Sequence, residues 1–140
     1  MNPFKDFESF KQSSNFNSKN YQVGTLEESI LLPTLCTVFY DTTLRSLPEG
    51  SLFDFQGHNK VIELKSRLCK RNTFKDTAIG ASKIAYAKQQ HHLKIYFVFQ
   101  FLDGIYYWEY DPSIKLRSGK IPTTGIPHWF IPVEILIPVI

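Results

Sequence analysis

Cysteine, histidine and methionine are scarce: two, four and one in 140 residues. Cys36 and Cys69 belong to no CxxC motif or Cys/His cluster, which excludes a disulfide framework and a zinc finger and reads as two reduced thiols. Neither His58 nor His128 has a Cys or Asp partner at ligand spacing, and the adjacent His91 and His92 would point opposite ways on a strand. The chain has no glycine-rich phosphate loop and no GxSxG elbow, and Ser66 has no base beside it. Long apolar runs are missing too. The most apolar stretch, WFIPVEILIPVI, is too short for a bilayer and is interrupted by Glu134 and by prolines. The opening MNPFKDFESF is polar and charged and carries no signal-peptide pattern. A soluble protein without membrane contact is therefore expected, in a reducing compartment.

What is present is a core's worth of apolar side chains. Hydrophobic residues make up 43% and charged residues 21%, ordinary values for one folded domain. The net charge of +3 says little, but its distribution is uneven. Lys60, Lys65, Arg67, Lys70, Arg71 and Lys75 crowd into residues 60–75 against Glu63 alone, leaving the rest of the chain net negative. Such a patch suits a polyanionic partner, and a solvated lysine-rich strand end explains it as well.

Residues 1–23, rich in Asn, Ser, Lys and Phe, are expected to be a weakly ordered arm ahead of a domain at 24–140. Thr25-Leu-Glu-Glu28 is a capping box that starts a helix, with Leu26, Ile30, Leu31 and Leu35 as its apolar stripe and Pro33 as a kink or stop. CTVFYDTTL reads as a β-prone stretch. SLFDFQG and KVIELKSRLC read as a hairpin, and KDTAIGASKIAYAKQQ (75–90) as a helix with Ile79, Ile84 and Ala85 inward. LKIYFVFQFL is expected to be the central strand, paired with GIYYWEY through Asp103-Gly104. Residues 111–127 read as loop, and HWFIPVEILIPVI as a closing strand or short helix. The Tyr106-Tyr107-Trp108 run could stack on bases, but core packing is the commoner use of such a run.

The hairpin FDFQGHNKVIELKSR, residues 53–67, carries the candidate chemistry. A two-residue turn at His58-Asn59 pairs Phe55 with Ile62 and Asp54 with Glu63, which puts two carboxylates roughly 5 Å apart. Lys65 shares their face, and Phe53, Phe55, Ile62 and Leu64 take the other. Like charges so placed repel, and a divalent cation is the simplest compensation. Magnesium accepts two carboxylates and a backbone carbonyl, that of Leu64, with water completing its shell. A metal so held polarises a phosphoryl oxygen, Lys65 supports the developing charge, and Arg67 grips a phosphate as a fork. Lys70 and Arg71 extend the anion-binding surface. A plain charged hairpin accounts for Glu63 and Lys65, though less well for an Asp between two phenylalanines.

Asp54, Glu63 and Lys65 together resemble the signature of the PD-(D/E)XK nuclease superfamily, over about residues 24–110. The resemblance is greatest to small stand-alone members from large DNA viruses or phages. Phe53 stands where the family's name has proline. The resemblance implies an α/β fold with a restriction endonuclease-like αβββαβ core: a helix, a β-meander carrying the motif, a second helix and a further strand, in a mixed central sheet flanked by helices. It implies metal-dependent hydrolysis of phosphodiesters, with Mg²⁺ (or Mn²⁺) as cofactor and nucleic acid, DNA before RNA, as partner. It also implies a homodimer if both strands are cut, and a cytoplasmic or host-cell intracellular location. A Glu from the first helix would complete the site. GTLEES offers Glu27 or Glu28, and with Glu28 serving as the cap, Glu27 is the expected residue. From the second helix Lys83 would meet the scissile phosphate, and Lys88 would add to nucleic-acid binding. The alternative is a catalytically silent nuclease-like fold used for nucleic-acid binding or assembly.

Overall fold

The computed structural model describes residues 28–122 and 124–139. The arm at 1–23, Thr25, Leu26 and Glu27 lie outside these residues. Residues 28–38 form helix α1. Leu31 and Leu35, one turn apart, are buried, whereas Ile30 faces solvent. The helix runs on through the exposed Pro33 to residue 38, so it does not stop there.

After α1 come β1 (Arg45–Ser46), β2 (Phe55–Gln56), β3 (Lys60–Ser66), β4 (Asp76–Gly80) and helix α2 (Ala81–Gln89). β5 (Lys94–Phe101), β6 (Gly104–Glu109), β7 (Arg117–Lys120), β8 (Pro127–Pro132) and β9 (Ile137–Pro138) complete the order. Among the described residues these strands make a six-stranded sheet, β1-β2-β3-β5-β6-β9, and a three-stranded one, β4-β8-β7. Only β3 and β5 run parallel, so the large sheet is mixed and two helices accompany it.

KIYFVFQF is a nearly continuous apolar run, and residues 60–64 of KVIELKS are all buried, because both faces of the large sheet are covered. Leu31, Leu35, Phe55, Ile62, Leu64 and Val98 pack on the α1 side. Phe53, Val61, Ile84, Phe97, Phe99 and Ile131 pack on the side of α2 and the small sheet. β5 is central, as its composition predicts. The Tyr-Tyr-Trp run is packed rather than presented: Trp108 stacks on Phe97 with ring centroids 5.9 Å apart, and Tyr107 meets Tyr96 edge-on.

Several expectations are corrected. Residues 36–38 end α1 instead of starting a strand. The segment predicted as one helix over 75–90 is β4 followed by α2, since Thr77 and Ile79 alternate inward against β8 before the helix begins at Ala81. Ala87, not Ala85, then lies in the core with Ile84. Residues 117–120 are not loop but edge strand β7, paired with β8. The β5–β6 hairpin turns at Leu102-Asp103, and Gly104, at φ +156°, already pairs with Phe101.

The β2–β3 hairpin has the predicted two-residue turn and register: Phe55 opposite Ile62, Gln56 opposite Val61, and Gly57 N–H on the Lys60 carbonyl at 2.9 Å. At Asp54 the ladder slips by one residue, because its N–H donates to the Ile62 carbonyl at 3.0 Å, opposite which Phe55 already sits. Phe53 is thereby turned to the α2 side while Phe55 stays on the α1 side, so the two do not share a face as expected. Among the described residues no helix is long and apolar enough to cross a membrane.

Candidate active site

The slip at residue 54 aims a carboxylate along β3. Asp54 Oδ2 accepts the Leu64 amide hydrogen at 2.7 Å, beside Glu63. Glu63 faces the α2 side of the sheet with 3% of its surface exposed, an unusual place for a carboxylate without a firm partner. It shares a hydrogen bond with Asp54. Burial, then that bond and the neighbouring negative charge, push its carboxyl up to about 8.

The first helix supplies a third carboxyl. Glu27 lies outside the described residues; Glu28 is the residue whose carboxyl hydrogen-bonds Asp54. Burial and Asp54 push Glu28 up to about 8 as well. The capping role expected of it hides it in the sequence, yet Glu28, Leu31 and Leu35 fall at i, i+3 and i+7, which puts it on the stripe that packs against the sheet. That periodicity is the signal that finds it.

Two lysines complete the cluster. Lys65 lies two residues beyond Glu63 on the same face, with Nζ 3.8 Å from Glu63 Oε2 and a side chain 39% exposed. Lys83, on α2, brings Nζ to 3.1 Å from the same oxygen. That is ion-pair distance, but the angle is poor for a hydrogen bond, and Oε2 has no hydrogen-bond partner. Phe53 steadies this approach: the Lys83 ammonium lies 5.3 Å from its ring centre, and Tyr86, one turn on, packs against the same ring.

The remaining basic residues divide. Arg67 donates to Thr77 Oγ1 at 3.0 Å and to the Ala78 carbonyl, tying β3 to β4. Arg71 donates to the Val133 carbonyl at 3.1 Å and lies over Tyr106. Lys88 rests over Trp129, and Lys70 is exposed. Lys60 is withdrawn from the patch, since its Nζ lies 2.9 Å from Asp41 Oδ2 in a buried pair. A cleft of about 540 Å³ opens beside Lys65 and Lys83 and takes in Arg67, Arg71 and His128. A second, of about 360 Å³, reaches Glu28 and Asp54 from the β1–β2 side.

Among the described residues no group of three or more His, Cys, Asp and Glu side chains is spread as a ready set of metal ligands. Here burial and the neighbouring Asp54 favour the protonated forms of Glu28 and Glu63. As a donor set the carboxyls are hard oxygens, one of them Glu63 Oε2, which has ion-pair neighbours in Lys83 and Lys65 but no hydrogen bond, and hard oxygen is the chemistry magnesium or manganese takes. Comparison with protein-family models, curated proteins and solved structures returned no match.

Proposed function

We propose that the protein is a metal-dependent nuclease of the PD-(D/E)XK type, hydrolysing phosphodiester bonds, with DNA as its first expected substrate. One observation carries the reading. The buried Glu63 carboxyl meets Asp54, which stands just ahead of β2, and two lysines, one from its own strand and one from the following helix, both of which line a basic cleft. The element order supports it, since α1, the β1–β2–β3 meander, α2 and β5 follow the sequence expected of an αβββαβ core. β4 is then an insertion between β3 and α2 that starts the second sheet.

Asp54, Glu63 and the Leu64 carbonyl would hold Mg²⁺, with Glu28 as a further oxygen donor. The chemistry supplied by the bound cation is polarisation of a phosphoryl oxygen and activation of water. Lys65, the more open of the two lysines, offers its ammonium to the attacking water and to the negative charge growing on phosphorus. Lys83 holds Glu63 in place and neutralises part of its charge. The surrounding apolar wall, Phe53 and Phe97, keeps the local dielectric low and strengthens both effects.

The test is cleavage of plasmid, linear, single-stranded and branched DNA, and of RNA, in Mg²⁺, Mn²⁺ or EDTA, by the wild type, Asp54→Ala and Lys65→Ala. Metal-dependent cutting abolished by both substitutions supports the proposal. Absence of cutting, with no metal-induced rise in melting temperature, rejects it for the second reading, a catalytically silent binding or assembly module. One observation favours that module: Lys83 already stands at Glu63 Oε2, where it competes with a cation.

A further inference from the structure

We propose that the cleft beside Lys65 and Lys83 binds single-stranded nucleic acid, with Phe74 as a stacking platform for an unpaired base. This rests on the nuclease reading for the identity of the polymer and goes beyond it in naming the form of the strand. Three observations carry it. The cleft presents Lys65, Arg67, Arg71 and Lys83. The hydrogen bonds of Arg67 and Arg71 given above go to a hydroxyl and to backbone carbonyls, which fix the guanidinium groups without cancelling their charge. Its one carboxylate, Asp76, is already paired with Arg117 at 2.9 Å. The lining is therefore strongly positive, as a phosphate backbone requires.

The second observation is Phe74. It lines the same cleft, yet 66% of its surface is exposed, in a chain whose other large aromatics are mostly packed. It follows the short 3-10 turn Arg71–Thr73 and is followed in the chain by the exposed Lys75, so it sits on the stretch that brings Arg71 to the cleft. A ring presented next to phosphate-binding cations is the arrangement by which proteins hold single strands, because any base offers a π-face once it leaves the stack. A duplex hides those faces and gives Phe74 nothing to meet.

The third is depth. Glu63, 3% exposed, lies behind Lys65 and Lys83, which line the cleft, so a phosphodiester that reaches it from this cleft passes those lysines. A single strand bends into such a recess at little cost, whereas a duplex has to deform.

Binding is measured by fluorescence anisotropy in EDTA, so that the result is independent of cleavage. The probes are a labelled 12-nucleotide DNA strand, the same sequence as RNA, and the DNA duplex, each with wild type, Phe74→Ala and Phe74→Trp. The expected result is single-strand affinity at least about tenfold above duplex affinity. Phe74→Ala should lower single-strand affinity about tenfold and leave duplex affinity unchanged, and Phe74→Trp should restore it. The DNA and RNA arms identify which sugar the strand carries. Duplex affinity equal to or above single-strand affinity, no effect of Phe74→Ala, or no binding to any probe overturns the proposal. A nuclease that cuts duplex alone would show the same failure here while the nuclease reading stands.

Discussion

Asp54 accepts the Leu64 amide hydrogen at 2.7 Å, so the peptide just beyond Glu63 holds the carboxylate that faces it. Asparagine at 54 keeps an acceptor for that amide but loses the charge. Alanine loses both and leaves a part-buried donor without its partner, at a cost of about 1–3 kcal/mol. Asp54→Asn should therefore unfold in urea close to the wild type in EDTA, while Asp54→Ala unfolds measurably earlier. Both should lose nuclease activity by about 100-fold or more. Activity retained in Asp54→Asn would remove this carboxylate from the site.

The metal-free protein should lose stability as pH rises. Glu63 has an ordinary value of 4.5 and about 8 in the fold, so between those limits the folded chain keeps a proton that the unfolded chain has released. That contribution is fully present below pH 4.5 and disappears as pH passes through about 8, at about 1.4 kcal/mol per pH unit for each retained proton. Glu28 acts in the same direction and, being partly exposed, adds less. Urea midpoints across this range in EDTA should fall, and Glu63→Gln should flatten the slope. A stability that rises over the same range would contradict the burial argument.

Some of this was legible in the sequence and some was not, for physical reasons. The register next to the turn followed from Gly57, His58, Asn59 and Lys60 alone, because a two-residue turn fixes the pairings beside it, Gln56 with Val61 and Phe55 with Ile62. The slip at Asp54 depends on what packs behind Phe53, namely Phe97 and Tyr86 from elements far along the chain, and no local pattern encodes that. β4 was hidden because Asp-Thr-Ala-Ile-Gly also suits a helix start, and only pairing with β8 makes it a strand. β7 was hidden because Arg-Ser-Gly-Lys, largely exposed at a sheet edge, carries little hydrophobic pattern. Glu28 was readable from helical spacing, but its capping position explained it equally well. Lys83 was expected at the scissile phosphate, and its ammonium lies 3.1 Å from Glu63 Oε2, a contact that helical spacing alone does not encode.

Divalent cations should reverse the pH dependence. Binding an ion to Asp54, Glu63 and Glu28 requires the carboxyls to be ionised, so Mg²⁺ or Mn²⁺ should release protons at pH 7. The same ions should raise the melting temperature in proportion to the logarithm of their concentration, with about 2.7 kcal/mol gained at one hundred times the dissociation constant. Calorimetry in two buffers of different ionisation enthalpy reads the protons directly. Glu63→Gln should abolish both effects, and a rise that persists in that variant would place the ion elsewhere.

Gly57 fixes the hairpin by having no side chain. A Cβ there would overlap Asp41 Oδ2 and lie 3.1 Å from Leu44 Cδ2. Asp41 cannot easily move away: Lys60 Nζ holds one of its oxygens at 2.9 Å, and the Thr43 amide, at 2.8 Å, and hydroxyl hold the other. These bonds keep its carboxyl down to about 2. His58 N–H in turn donates to Thr43 Oγ1 at 2.8 Å, so the turn is tied to the segment after α1 at several points. Gly57→Ala should then cost about 1–3 kcal/mol by urea denaturation, whereas His58→Ala, with an exposed side chain and its backbone bond intact, should stay within about 0.5 kcal/mol. The Gly57 cost should appear in stability and not in turnover per folded molecule, because the strain falls on the turn and leaves the Asp54–Leu64 bond in place. If Gly57→Ala instead lowered turnover at full folding, the register of the hairpin, and not the slip at residue 54, would be what sets the carboxylates against each other.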